Sequence, residues 1–252
     1  MASTVQKTLT DGVMILRLER EHGNSINGAL IADLMAACQE AESDPQVRGV
    51  LLTANGKLFS PGLDLRELYD LNRSEMCEFA SHFNACILSL YTFSKPLVAG
   101  LQGHEIAGGC VLSMTADWRI LEENSLIGMN ELKVGVAFPF GVAMILRDVV
   151  SRTKLEEVVL LGKNYHGSEA LEAGLVHDVH AREGFEEFCL ARLGEFCEKG
   201  DKAFAITKRY LRSATTERIR ANDAQFIGDF LDSWFEDETR ARIAAVVEKL
   251  KS

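Results

Sequence analysis

The sequence predicts an α/β fold in which strand-strand-helix units stack on one another and are followed by a helical C-terminal part. Two patterns support this fold class. The first half of the chain alternates strand-like and helix-like runs, whereas only helical periodicity appears from Glu183 to the end. The chain has 252 residues and is 47% hydrophobic, so it contains enough apolar material for one large core.

The predicted strands are short runs bounded by turn residues. Residues 12–20 alternate apolar and polar side chains, which is typical of a half-buried strand. Short apolar runs predict further strands at 47–53, 96–103, 117–121, 134–136 and 175–179.

The predicted helices begin at capping residues or at a glycine pair. Asn27 is expected to cap a helix that runs to about Ala41, and Ser151 and Ser168 are expected to cap two later helices. Residues 63–92 show helical periodicity, and Gly108-Gly109 opens another helical run. The tail over 221–251 is helical and carries the apolar residues Phe226, Phe230, Trp234, Phe235, Ile243 and Val247.

Composition excludes several classes of protein. Asp and Glu number 37 against 27 Lys and Arg, and the net charge of −10 argues against a protein that wraps duplex nucleic acid. The longest uncharged apolar stretch, 134–146, is too short to span a bilayer. Six cysteines form no C-x-x-C pair, which favours a reducing compartment: the cytoplasm, or an organelle matrix if a transit peptide has been removed. The six histidines show no metal-ligand spacing, and no dinucleotide, P-loop or hydrolase-elbow motif occurs.

Two glycine-containing segments are candidates for binding an oxyanion. In 59–65, F-S-P-G-L-D-L, the pair Pro61-Gly62 forces a turn whose backbone N–H groups lack partners. In 96–110, a strand leads into Gly108-Gly109 at a helix start, where free N–H groups favour an anion. For 59–65 the alternative is an ordinary strand-to-helix turn, with Asp64 in the first helical turn. For 96–110 the alternative is close packing of a helix against a strand, which also requires small residues.

The third segment, 127–141, places Glu131 among apolar neighbours. A carboxylate in such surroundings has a raised pKa and can carry a proton, although a solvent-facing loop glutamate is the alternative. Taken together, the three segments fit enolate chemistry, in which two N–H groups hold an oxyanion and one carboxylate moves a proton on the adjacent carbon.

These segments resemble the enoyl-CoA hydratase/isomerase (crotonase) family over almost the whole chain. The resemblance rests on F-S-P-G-L-D-L, K-P-L-V-A-G-L-Q-G, A-G-G-C followed by A-D-W-R-I, N-E-L-K-V-G-V, and S-E-A-L-E-A-G-L-V. It implies a crotonase-like spiral of strand-strand-helix turns over 1–195 and a helical oligomerisation region over 196–252. It further implies an acyl-CoA ligand and a homotrimer or dimer of trimers, with no metal and no separate cofactor, because coenzyme A is part of the substrate.

The resemblance also assigns roles to individual residues. Glu131 is the expected proton carrier, and the backbone N–H groups of Leu63 and Gly108 are the expected oxyanion donors. The expected substrate-binding residues are Pro61, Gly62, Asp64, Leu65, Asn130 and Lys208. Lys208 is included because of its charge and not because of the resemblance: residues 200–220 carry a local excess of positive charge, and Lys208 and Arg212 lie four apart on one face of a predicted helix. Either is a hypothetical contact for the coenzyme A phosphates, including those of a ligand bound to a neighbouring subunit. The alternative is a solvated helix face, or salt bridges to the acidic residues 236–238.

Within the family, the sequence is similar to the Δ3,Δ2-enoyl-CoA isomerase branch. Hydratases carry a second glutamate just after the G-G-C, where this chain has Val111, and the N-E of Asn130-Glu131 is typical of isomerases. Pro61 departs from the usual alanine and removes one backbone N–H. Three alternatives stay open: another reaction of the family (hydrolase, decarboxylase or hydratase), a non-catalytic acyl-CoA-binding protein, and a plain oligomeric partner protein.

Overall fold

The structure is a computed structural model that describes residues 3–251, and within them the chain forms ten β-strands and eleven α-helices. The strands are β1 (Val5–Thr10), β2 (Val13–Leu18), β3 (Gly49–Ala54), β4 (Leu58–Ser60), β5 (Leu97–Leu101), β6 (His104–Ile106), β7 (Trp118–Glu122), β8 (Leu126–Gly128), β9 (Asn164–His166) and β10 (Asp178–His180). The helices are α1 (Glu21–Asn24), α2 (Gly28–Ser43), α3 (Leu65–Leu68), α4 (Arg73–Thr92), α5 (Gly108–Met114), α6 (Phe140–Val149), α7 (Leu155–Val159), α8 (Gly167–Glu172), α9 (Phe185–Cys197), α10 (Asp201–Phe235) and α11 (Asp237–Lys251). A 3₁₀ helix spans Glu131–Val134.

Two sheets organise the first part of the chain. The larger sheet has the order β1-β2-β3-β5-β7-β10, with β1 antiparallel to β2 and the other pairs parallel. The smaller sheet has the order β4-β6-β8-β9, with β4, β6 and β8 parallel and β9 antiparallel to β8. The chain passes from β3 to β4, from β5 to β6 and from β7 to β8 before each helical segment. This repeated strand-strand-helix winding confirms the predicted fold class.

Both faces of the larger sheet are covered, which explains why its central strands are continuous apolar runs. All residues of β3 are buried. Val50 and Leu52 belong to the main core, whereas Leu51 packs against Phe185 of α9 in a second apolar cluster on the other face. Successive β3 side chains point to opposite faces of the sheet, so one face of β3 contributes to the main core and the other contributes to the cluster that contains α9.

The strand predicted over 134–136 is wrong in type, and the helix predicted over 63–92 is wrong in extent. The expected strand over 134–136 is the end of the 3₁₀ helix followed by a left-handed Gly135 with φ of 84°. A Cβ at Gly135 would lie 2.4 Å from Thr239 Oγ1, so contact with α11 holds this turn. The expected helix over 63–92 is divided into α3 and α4, because Asn72 accepts hydrogen bonds from backbone N–H groups at the start of α4 and begins a new helix there.

Of the three residues predicted to cap helices, one does so in the structure. Asn27 caps α2, since its Oδ1 accepts a hydrogen bond of 3.0 Å from the backbone N–H of Leu30. Ser151 and Ser168 do not cap helices: α7 follows Lys154, and α8 already begins at Gly167. The strand expected over 175–179 is displaced toward the C-terminus and becomes β10.

The C-terminal helices α10 and α11 pack against the core. Phe230 and Trp234 of α10 and Ile243 of α11 are buried in the main apolar cluster. The proposed boundary at 195/196 falls inside α9, which ends at Cys197, and α10 begins at Asp201 after the N-cap Gly200. Among the helices of residues 3–251, none combines the length and the apolar character needed to cross a lipid bilayer.

Candidate active site

The turn between β4 and α3 fixes the backbone of Leu63. The flanking residues pair with Ile26: the N–H of Ile26 donates to Gly62 O at 2.7 Å, and the N–H of Asp64 donates to Ile26 O at 2.8 Å. These bonds hold Leu63 between two anchored peptide groups. Its own N–H finds no acceptor among residues 3–251, so it is an available hydrogen-bond donor.

A second available donor lies beside it at the start of α5. The N–H of Ala107 donates to Gly128 O at 2.8 Å, and Ala107 itself has a φ of 52°, which turns the chain sharply from β6 into the helix. Within the described residues, the N–H of Gly108 has no acceptor. A Cβ placed on Gly62 would lie 3.0 Å from Gly108 N, and one on Gly108 would lie 3.5 Å from Leu63 N. The two donors are therefore neighbours, and a helix N-terminus adds a favourable dipole for an anion.

Glu131 supplies the carboxylate. It is the first residue of the 3₁₀ helix, and its Oε2 is buried without a hydrogen-bond partner among the described residues. Burial raises the pKa of Glu131 to about 8, and a hydrogen bond to its own backbone offsets only part of that shift. A carboxyl group with such a pKa is suited to accept and return a proton near neutral pH.

These groups surround one cavity of about 280 Å³. Its polar side chains are Asn130, Glu131, Lys133 and Trp234. The remaining lining is apolar or backbone: Pro61, Leu63, Leu65, Phe79, Ala80, Phe83, Ile106, Ala107, Gly108, Val111, Val134, Val136, Ala137, Phe138, Pro139, Val142, Phe230 and Val246. The cavity thus combines two backbone N–H groups without acceptors and a carboxyl group of raised pKa with largely apolar walls.

Most of the residues predicted for the site lie on this cavity. Leu63, Gly108 and Glu131, the expected catalytic groups, line it together, and so do the expected binding residues Pro61, Leu65 and Asn130. Gly62 lies just behind the lining, where its missing side chain lets the two N–H donors approach.

Asp64 does not line the cavity, contrary to its predicted binding role. Its carboxylate is buried between Arg20 at 2.8 Å and Arg66 at 3.1 Å, and it caps α3 by accepting from the backbone N–H of Arg66. Burial opposes its ionisation, but the hydrogen bonds from the two arginines prevail and lower the pKa of Asp64. Asp64 therefore stabilises the turn that presents Leu63.

Lys208 also lies away from the cavity, and its contact with phosphate stays a prediction. Its ammonium is buried, donating to Asp117 Oδ2 at 2.6 Å and to Lys95 O at 3.1 Å. Arg212 donates to Asp117 Oδ1 at 2.8 Å. Both cations are thus paired with the carboxylate of Asp117. Asp117 lies in a distant segment of the chain, so the spacing of basic residues along α10 could not predict this pairing.

Asp117→Asn is expected to destabilise the protein by about 3 kcal/mol, because it leaves the buried charges of Lys208 and Arg212 without a counter-charge. Asp232→Asn is the matched control: Asp232 pairs with Arg73 on the exposed surface, and its loss should cost less than about 1 kcal/mol. Urea unfolding of both variants measures the difference. Equal losses of stability would show that the Asp117 cluster does not anchor α10.

Sequence analysis missed one wall of the cavity. Phe230 and Trp234 of α10 and Val246 of α11 line it, together with Phe79 and Phe83 of α4. Helical periodicity marked the tail residues as apolar, but periodicity does not reveal which surface a helix covers. Among residues 3–251 no group of three or more His, Cys, Asp or Glu side chains could hold a metal ion.

Comparison with known proteins agrees with the fold described above. A model of the enoyl-CoA hydratase/isomerase family matches residues 8–252. The chain belongs to that family. Human mitochondrial Δ3,Δ2-enoyl-CoA isomerase has a crystal structure that superposes with a TM-score of 0.94 at 27% identity, covering 98% of each chain.

Relatives named as isomerases and relatives named as hydratases are about equally similar to this chain in sequence identity. The mitochondrial enoyl-CoA delta isomerase 1 of Rattus norvegicus is 27% identical over 250 residues, which cover 98% of this chain and 86% of the relative. A probable enoyl-CoA hydratase of Bacillus subtilis (strain 168) is 26% identical over 245 residues, which cover 95% and 93%. Sequence identity alone therefore leaves the reaction undecided between isomerisation and hydration.

Proposed function

We propose that this family member is a Δ3,Δ2-enoyl-CoA isomerase of fatty acid β-oxidation. The observation that carries the proposal is Glu131, the single carboxylate among the described residues that line the cavity, together with the adjacent N–H groups of Leu63 and Gly108. Val111 lines the same cavity at the position where hydratases of the family carry a second glutamate, and it cannot move a proton. One proton carrier suffices for isomerisation, whereas hydration also needs a group to activate water.

The proposed reaction is a proton transfer from C2 to C4 of a 3-enoyl thioester. The thioester oxygen accepts hydrogen bonds from the N–H groups of Leu63 and Gly108, and Glu131 removes a proton from C2. The resulting dienolate carries its negative charge on the held oxygen. The carboxylic acid of Glu131 then returns the proton to C4, and the double bond moves from C3–C4 to C2–C3.

Substrate and product of this reaction are isomers, so the proposal requires no cofactor. Coenzyme A is part of both molecules, and the electrons stay within the acyl chain. The apolar walls of the cavity support a hydrocarbon acyl group as the occupant. The homotrimer or dimer of trimers implied by the family resemblance stays a prediction, to be checked by the molar mass in solution.

The direct test is incubation with a 3-enoyl-CoA while the absorbance of a conjugated enoyl thioester is followed. An isomerase produces this absorbance. A hydratase consumes a 2-enoyl-CoA instead, and a non-catalytic acyl-CoA-binding protein or a plain partner protein does neither. Consumption of 2-enoyl-CoA without isomerisation of the 3-enoyl-CoA would overturn the proposal in favour of hydration.

The pH dependence of the reaction follows from the pKa of Glu131, which burial raises to about 8. Below that pH the carboxyl group of the free protein is mostly protonated and cannot accept the C2 proton. We therefore expect kcat/KM to rise about tenfold per pH unit up to about pH 8 and then to level off. A profile of kcat/KM for the 3-enoyl-CoA measures this, and a flat profile from about pH 6 to pH 8 would contradict it.

A further inference from the structure

One residue of the cavity wall has a backbone conformation that its own side chain disfavours. Ala107, the N-cap of α5, has a φ of 52° and a ψ of −125°. These angles are close to about 60° and −120°, the values of the first central residue of a type II′ turn, a position where glycine, Asn and Asp dominate. An alanine there is strained, because its Cβ crowds the adjacent peptide groups. Ala107 lines the cavity and directly precedes Gly108, one of the two proposed oxyanion donors.

The other non-glycine residues with positive φ within residues 3–251 are of a different kind. They are Asp11, His22 and Asn24, with φ of 51°, 62° and 65°. Asn, Asp and His are the residue types that adopt positive φ most readily after glycine, and none of these three residues lines the cavity. The alanine in glycine-like backbone therefore occurs at the candidate active site, where stored strain is typically functional.

Hydrogen bonds on both sides hold Ala107 in this conformation. Its N–H donates to Gly128 O of β8 at 2.8 Å, and its carbonyl oxygen accepts from the N–H of Val111 in α5 at 3.0 Å. The second bond also sets the direction of the proposed donor. The carbonyl of Ala107 and the N–H of Gly108 belong to one planar trans peptide group, so they point in opposite directions. With the carbonyl directed along α5, the N–H of Gly108 points away from the helix.

Side chains restrict the rotation of this peptide group on one side only. Gly108 and Gly109 follow it, and glycine adopts a wide range of φ and ψ values, so the restriction comes from Ala107. The methyl group of Ala107 lies beside the turn that presents Leu63, since a Cβ added to Gly62 would be 3.1 Å from Ala107 Cβ. A glycine at position 107 would relieve the strain, but it would place three consecutive glycines at the donor.

We propose that Ala107 is a positioning residue, whose methyl group keeps the peptide between Ala107 and Gly108 in the orientation that presents the Gly108 N–H to the thioester oxygen. This inference rests on the proposed function, which places that oxygen at the N–H. The strained backbone is then part of the preorganisation of the site, because the donor is oriented before the substrate binds. Ala107→Gly therefore has opposite effects on the fold, which becomes more stable, and on the reaction, which becomes slower.

The test compares Ala107→Gly with wild type in thermal unfolding and in turnover of a 3-enoyl-CoA. Relief of the strain should raise Tm by about 2–4 °C. The turnover number should fall about tenfold, less than on removal of an oxyanion donor, because the N–H is still present but correctly oriented only part of the time. The calorimetric affinity for a saturated acyl-CoA should change far less, since the donor acts mainly on charge that develops in the transition state.

Asp11→Gly is the matched control for these measurements. Asp11 has a nearly identical φ of 51°, lies in the exposed turn between β1 and β2, and does not line the cavity. This variant also introduces a glycine at a position of positive φ, and it should keep the wild-type turnover number.

The signs of the two changes separate positioning from simple packing. A higher Tm with a lower turnover number in Ala107→Gly, while Asp11→Gly keeps its turnover number, supports the inference. A lower Tm, a turnover number within about twofold of wild type, or an equal loss in Asp11→Gly overturns it and leaves the proposed reaction intact. Failure of the wild-type protein to isomerise the 3-enoyl-CoA overturns both.

Discussion

Glu131→Gln is expected to lower the isomerisation rate by about three orders of magnitude while leaving the affinity for acyl-CoA nearly unchanged. The proposed mechanism uses this carboxyl group twice, to remove the C2 proton and to deliver the C4 proton, and glutamine can do neither. The substitution preserves the size of the side chain. No ion pair or hydrogen bond to Glu131 Oε2 is lost among the described residues. Turnover of a 3-enoyl-CoA and calorimetric binding of a saturated acyl-CoA measure the two effects separately.

Glu105→Gln is the matched control for this experiment. Glu105 is fully buried, and neither of its carboxylate oxygens has a hydrogen-bond partner within residues 3–251, yet it does not line the cavity. Its substitution should change turnover far less than Glu131→Gln does. If Glu131→Gln keeps more than about a tenth of the wild-type rate, less than about 1.4 kcal/mol of the barrier depends on that group. Glu131 would then not be the proton carrier.

The chemical groups of the site could be predicted from the sequence because each one depends on a local motif. The turn at Pro61-Gly62 and the glycine pair at the start of α5 both signal backbone N–H groups without partners, and the structure brings the two together. Glu131 stood out because its sequence neighbours are apolar. These motifs do not tell how far apart the groups lie in space. The backbone pairing of Ile26 with the Gly62–Asp64 turn holds Leu63 in position, and that pairing could not be predicted from either motif.

The remaining parts of the molecule depend on contacts between distant segments. Strands β4, β6, β8 and β9 have three residues each, too few for a periodicity to show. The charge of Lys208 suggested phosphate binding, but its partner Asp117 lies 91 residues earlier in the chain. The turn at Gly135 follows from its contact with Thr239 of α11, which no local pattern encodes. Local chemistry was therefore predictable, whereas the packing of α10 and α11 over the cavity was not.

Gly62→Ala is expected to reduce the turnover number by about a hundredfold or more, because it separates the two N–H groups that we propose hold the oxyanion. The added Cβ would lie 3.0 Å from Gly108 N and 3.1 Å from both Ala107 Cβ and Ile106 O. Contacts this short with backbone atoms force the turn and the start of α5 apart. The transition state loses more than the bound substrate does, since charge on the thioester oxygen grows only as the dienolate forms. The decrease should therefore appear in kcat more than in KM.

The backbone conformation of Gly62 also disfavours alanine, and this second effect must be separated from the first. Gly62 has a φ of 96°, and Gly56 has a nearly identical φ of 93° with no atom within 4 Å of an added Cβ. Gly56→Ala therefore carries the cost of the left-handed backbone, roughly 1–2 kcal/mol, without a steric contact. If turnover depends on the geometry of the two N–H groups, Gly62→Ala loses activity at a temperature where both variants are folded by circular dichroism, and Gly56→Ala keeps it. Equal turnover in the two variants would mean that Leu63 and Gly108 do not hold the oxyanion together.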